Sequence, residues 1–266
     1  MEAHAPPFAL EPETVPLLER WRADPEVLGV LLVGSKSRGF QDARSDDDLE
    51  VLLTDGAFTR LAPAACHTFM VSGEGPARRV IYDAQLTALT DLVRKAASPF
   101  DLDHWPYERA RVLFDRQGSV SPAVRDAALM DGAFRSLRLQ HGTIEAWTGA
   151  HRAVKTFARG FDGAGRMLVA RGLRALTRVV FALESRWTPL DHWLERELLT
   201  LADPVAAVPD LMQSLATFRP EPLLAALDRL EDGLADEGVA RPAGRRELFL
   251  ELIHASRSGE RAIHGL

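Results

Sequence analysis

The stretch that most restricts what this chain can become runs from Val30 to Thr54, VLLVGSKSRGFQDARSDDDLEVLLT. The apolar run Val27–Val33 predicts a buried strand that stops at Gly34-Ser35, where the chain must turn. A second strand is expected soon after, and it opens on acids: Ser45-Asp46-Asp47-Asp48-Leu49-Glu50-Val51. Successive side chains of an extended chain point to opposite faces, so Asp46, Asp48 and Glu50 share one face while Asp47, Leu49 and Val51 share the other. Carboxylates crowded on one face repel one another unless a cation lies among them. Mg²⁺ suits such an edge, because it takes oxygen ligands and keeps positions for water and substrate phosphates.

The turn after the first strand supplies a complementary half. Gly34 lets the backbone approach a ligand closely, and Ser35, Ser37 and Arg38 place hydroxyls and a guanidinium beside it. Backbone N–H groups at a helix start there would attract an anion. Phosphate on one side and metal on the other point to a metal–nucleotide complex. Asp46 and Asp48 are the candidate metal ligands and catalytic carboxylates, and Gly34, Ser35, Ser37 and Arg38 the candidate nucleotide contacts. A solvated acidic turn and an ordinary Ser-capped turn are the plainer explanations of each half. The coincidence of both halves favours the site.

Gly34-Ser35, Arg38-Gly39 and Ser45-Asp46-x-Asp48-Leu49 together resemble the G-S-x-x-R-G…S-D-x-D-L signature of the polymerase β-like nucleotidyltransferase superfamily, in particular its small bacterial members with a helical C-terminal domain. The likeness covers roughly the first half of the chain. A weaker one lies in Leu173–Trp193, similar to the helix-Pro-Trp helix of some relatives, with His192 at a position that is often basic. The resemblance implies Mg²⁺-dependent transfer of a nucleoside monophosphate, with ATP the expected donor, to a hydroxyl of a small-molecule or macromolecular acceptor. It also implies a third carboxylate on a later strand, which activates the acceptor hydroxyl. Three residues are open for that role: Asp83 at the end of an expected strand Ala77–Asp83, Glu74 in the preceding turn, and Glu50. A chain lacking the third acid would bind nucleotide or a partner protein without chemistry. In the family the position of Asp47 is usually apolar, so a buried Asp47 here must find a partner.

Composition narrows the alternatives. No apolar run approaches the roughly 20 residues that span a bilayer, and the N-terminal stretch lacks a basic start followed by an apolar block, so neither a membrane span nor an export signal is expected. A single cysteine, Cys66, excludes an intramolecular disulfide and fits a reducing cytoplasm. A net charge of −6 argues against bulk nucleic-acid binding. The wealth of Ala, Arg and Leu suggests a bacterial source.

The pattern predicts an α+β chain: a mixed-sheet domain over residues 1–118, then an all-α bundle over 119–266. In the first half, a helix is expected over Pro12–Arg22, a hairpin across Ser72–Pro76, a helix from Ala84 to Lys95, a short helix near Pro106–Ala110 and a last strand at Val112–Phe114. Thereafter helices are expected over 122–139, 143–159, 164–186, 190–202, 205–217, 220–236 and 244–258. His141, His151, Arg152, Lys155 and Arg159 are expected to be mainly a solvated helix face, with a role in holding phosphate or acceptor as the alternative. Trp147, Phe157, Phe181, Trp187 and Trp193 are expected to be core. His254 and His264 lack metal-site spacing.

Overall fold

A computed structural model describes residues 9–203 and 205–239. The fold is α+β, and the described residues form two compact units: residues 9–98 with 103–129, and residues 99–102 with 130–239. Among the described residues no helix is long and apolar enough to cross a membrane.

The first unit is built on a mixed five-stranded sheet. Its strands are β1 (Val27–Leu32), β2 (Asp47–Leu53), β3 (His67–Ser72), β4 (Arg79–Ala88) and β5 (Arg111–Asp115), in the order β3-β4-β2-β1-β5. β1 pairs antiparallel with both β2 and β5, β3 antiparallel with β4, and β2 runs parallel to β4. Both central strands are buried on two sides, which is why β1 reads as an unbroken apolar run. On one face Leu49, Val51 and Leu53 pack with Leu18 of helix α1 (Thr14–Ala23). On the other, Leu52 and Leu31 pack with Tyr107, with Leu92 of α4 (Leu89–Lys95) and with Val120 and Val124 of α5 (Val120–Ala128); two short helices, α2 (Gly34–Arg38) and α3 (Asp55–Thr59), follow β1 and β2 in the chain.

Three expectations need correction, two of them around the sheet domain and its first helices. The helix expected from Ala84 does not begin there: β4 continues to Ala88, and its parallel pairing with β2 runs from Asp47↔Tyr82 to Leu53↔Ala88. Asp83 is therefore an interior residue of a strand, not its last. The two helices expected over 122–139 and 143–159 are divided elsewhere. α5 ends at Ala128, and α6 (Gly132–Ala158) starts on Asp131, whose carboxylate accepts the N–H groups of Ala133 and Phe134. Gly142, between the two expected helices, is mid-helix, where a Cβ would come within 2.6 Å of a Val179 methyl. α5 belongs to the first unit.

In the second unit α6 packs along α7 (Asp162–Leu183), followed by α8 (Leu194–Leu198), α9 (Val208–Thr217) and α10 (Pro220–Asp236) around a core including Leu139, Trp147, Leu176, Phe181, Leu211, Leu223 and Leu230. Trp187 is also buried. The segment 190–202, expected as one helix, is a single 3₁₀ turn (Asp191–Trp193) followed by α8. Asp101 is held in this unit by a two-point contact from Arg138, at 2.5 and 3.1 Å, and by the Thr188 N–H at 2.8 Å. The helix expected over 244–258, with His254 and His264, lies outside the described residues.

Candidate active site

The turn after β1 is shaped by two glycines. Gly34 and Gly39 both adopt positive φ, +67° and +74°, which L side chains rarely take up. At Gly34 there is a second requirement. A Cβ would lie 1.9 Å from Asp48 Oδ2, so the carboxylate of the second strand rests directly on the glycine backbone. The backbone N–H of Ser35 donates to the same carboxylate, and Val33 N donates to the Asp48 carbonyl at 2.9 Å. The glycine–serine turn and the acidic strand are thus one unit of structure.

Asp47, on the opposite face, is fully buried and has the partner its position demands. Lys36 Nζ lies 2.7 Å from Asp47 Oδ1 and 3.0 Å from Glu11 Oε1, and the Glu11 N–H donates to Asp47 Oδ2 at 2.8 Å. Arg79 closes the chain of charges on Glu11 at 2.9 Å. Burial alone would lower the proton affinity of Lys36, but Asp47 and Glu11 more than offset it and hold it charged. This ion pair spans from the turn to the first residue of β2.

The other face is different in kind. Asp48 and Asp83 are direct partners in the parallel register of β2 and β4. Burial, then repulsion from Asp46 and Asp83, pushes the Asp48 carboxyl up to about 7. Asp46 is raised as well, by burial and by Asp83. Among the described residues no Lys, Arg or His forms a salt bridge to Asp46 or Asp48, and the one such contact of Asp83 is with His67, at 2.6 Å. Three mutually repelling acids with so little compensation make a site that a divalent cation would relieve. No three His, Cys, Asp or Glu among the described residues form a ready-made metal cluster. The donor set is an open edge of carboxylates, which fits Mg²⁺ completed by water and phosphate oxygens better than an all-protein cage.

Of the other candidates for third acid, Glu50 is committed elsewhere. It accepts the Tyr107 hydroxyl at 2.6 Å and lies 3.5 Å from Lys95 Nζ. Burial, with the Glu50 charge beside it, pushes the Tyr107 phenol far up, so that it remains a donor. Glu74 is exposed in the turn before β4. Asp83 alone adjoins Asp48. The signal for it lay in the period-two spacing of Ala84, Leu86 and Ala88, which continues the strand.

Two expected nucleotide contacts are turned inward. The Arg38 side chain is 2% exposed, stacks on Trp105 at 3.9 Å, donates to the Trp105 carbonyl and lies 3.8 Å from Glu108. Ser37 Oγ donates to the Gly34 carbonyl at 2.9 Å and so stiffens the turn. Ser35 is buried against Asp48, as described. His151 and Lys155 lie on an exposed face of α6, His151 donating to the Trp147 carbonyl at 2.9 Å, and His192 is exposed.

No protein-family model matches the chain, and no curated protein is detectably similar to it. Among solved structures, a nucleotidyltransferase-like protein from Exiguobacterium sibiricum aligns over 85% of this chain and 75% of its own, with 18% identity and a TM-score of 0.43. A likeness of that strength supports no argument about function, which rests on the residues themselves.

Proposed function

We propose that this chain is a Mg²⁺-dependent nucleotidyltransferase that moves a nucleoside monophosphate, with ATP as the expected donor, onto a hydroxyl acceptor. The observation that carries the reading is the grouping of Asp46, Asp48 and Asp83, in which the Asp46 and Asp48 carboxyls are both raised and, among the described residues, neither has a salt-bridge partner, beside a glycine whose missing side chain makes room for Asp48. Asp46 and Asp48 would hold the cation. Mg²⁺, when bound, would offset charge developing on the phosphates during in-line displacement. Gly34, having no side chain, makes room for the Asp48 carboxylate against the turn. The acceptor oxygen forms a bond to the α-phosphorus as the bond to the β-bridging oxygen breaks and pyrophosphate leaves. Asp83 takes the acceptor's proton on Oδ2, the oxygen not bonded to His67.

Incubation with α-labelled ATP, Mg²⁺ and a panel of small alcohols, tRNA and proteins tests the reading. Label is expected on one acceptor class, lost in Asp83→Asn while Mg²⁺·ATP binding persists. Binding of Mg²⁺·ATP with no transfer to any acceptor would leave a nucleotide-binding domain without chemistry, and transfer undiminished in Asp83→Asn would remove Asp83 from the role of base.

A further inference from the structure

The edge of the sheet beyond Asp83 carries residues that nothing so far has used. β3 is the edge strand, and its Phe69 is the direct antiparallel partner of Asp83, so Phe69, Asp83 and Asp48 form one row across three strands on a single face. Phe69 is 58% exposed although it belongs to the most costly class of side chain to leave in water. Two residues earlier, on the same face, the His67 ring stacks on Phe69 with centroids 5.7 Å apart and planes 30° apart. His67 Nε2 meets Asp83 Oδ1 at 2.6 Å, and since a carboxylate only accepts, that nitrogen is the donor. The bond holds the imidazole beside the phenyl ring and engages one oxygen of Asp83, whose side chain is 44% exposed. Gln85, exposed on the same face and paired in register with His67, adds a side chain able both to donate and to accept.

We propose that the His67–Phe69 pair is the acceptor platform of the site, and that the acceptor is a small, neutral or cationic alcohol bearing a planar ring. This rests on the nucleotidyltransferase reading and names its second substrate class. The ring of the acceptor lies on the Phe69 face, and its hydroxyl reaches Asp83 Oδ2 in the adjoining strand. The carboxylates of Asp46, Asp48 and Asp83 disfavour a phosphorylated or otherwise anionic acceptor on this face. A flat ring is selected because stacking on an exposed aromatic is the one strong contact the edge strand offers. The transfer consumes the alcohol and the nucleoside triphosphate, forms the phosphodiester, releases pyrophosphate and leaves the alcohol's proton on Asp83.

The test uses the full chain with α,β-methylene-ATP and Mg²⁺ to fill the nucleotide side, and 2-phenylethanol as probe. Saturation-transfer NMR is expected to show the phenyl protons in contact with the protein and no comparable signal from glycerol. Phe69→Ala should weaken probe binding by about fivefold or more, and Phe69→Trp should retain it. Replacing Mg²⁺ by Mn²⁺ should broaden the probe's lines, because the platform adjoins the carboxylates. Probe contact that survives Phe69→Ala, or no contact in the wild type, overturns the platform. Phe69-dependent contact with no Mn²⁺ broadening keeps the platform but overturns the metal–nucleotide reading on which its role as acceptor site depends.

Discussion

Replacing Asp48 with Asn should make the unliganded protein more stable while removing its Mg²⁺-dependent chemistry. The folded state holds the Asp48 proton far more tightly than the unfolded chain does, raising the carboxyl from 3.8 to about 7 through burial and the charges of Asp46 and Asp83. A tenfold change in proton binding corresponds to about 1.4 kcal/mol, so ionising Asp48 in the fold costs at most about 4 kcal/mol, and about 2–3 kcal/mol once relaxation and water entry are allowed for. The sign follows from where the proton is held. Below the unfolded value neither state is ionised and the cost is absent; it grows as pH rises, and is complete above about 7. Asn carries no charge and can still accept the Ser35 N–H. Urea denaturation without divalent cation should therefore show Asp48→Asn more stable than wild type by about 2–3 kcal/mol at pH 8 and nearly equal to it at pH 4. Millimolar Mg²⁺ at pH 8 should raise the wild type and leave the variant unmoved. A variant that is less stable at pH 8, or equally displaced at both pH values, would refute the reasoning.

Gly34→Ala should cost about 2–4 kcal/mol, from the positive φ and from a Cβ placed 1.9 Å from Asp48 Oδ2. Trimming Asp48 to Ala in the same chain should return part of that loss in urea denaturation. Lys36→Met leaves Asp47 buried without its cation and should cost about 3–5 kcal/mol, whereas the double change with Asp47→Leu should recover most of it. A double variant as unstable as Lys36→Met alone would show that the ion pair does not behave as a closed pair.

How far the sequence reveals this molecule differs by residue. The two central strands and the glycine–serine turn are readable because periodicity and turn chemistry are local properties, whereas Asp46 lies just before β2, which starts at Asp47. Asp83 was obscured because Leu86, Leu89 and Leu92 fit a helical stripe as well as Ala84, Leu86 and Ala88 fit a strand, and pairing with β2 and β3 decides for the strand. Arg38 shows the opposite failure. Its guanidinium is turned inward onto Trp105 and Glu108, residues far along the chain that local reading does not place beside it. The partner of Asp47 was likewise invisible until folding brought Lys36 across the turn. The division between α5 and α6 turned on the Asp131 cap, a signal weaker than the apolar spacing that runs through it.

The most direct measurement is calorimetric titration of ATP into the full chain at pH 8, with and without Mg²⁺, for wild type and for Asp46→Asn/Asp48→Asn. Wild type is expected to bind only with Mg²⁺, and the double variant to stay folded and lose at least tenfold in affinity. Equal affinity in both proteins, or binding indifferent to the cation, would contradict the assignment of these carboxylates to a metal–nucleotide site.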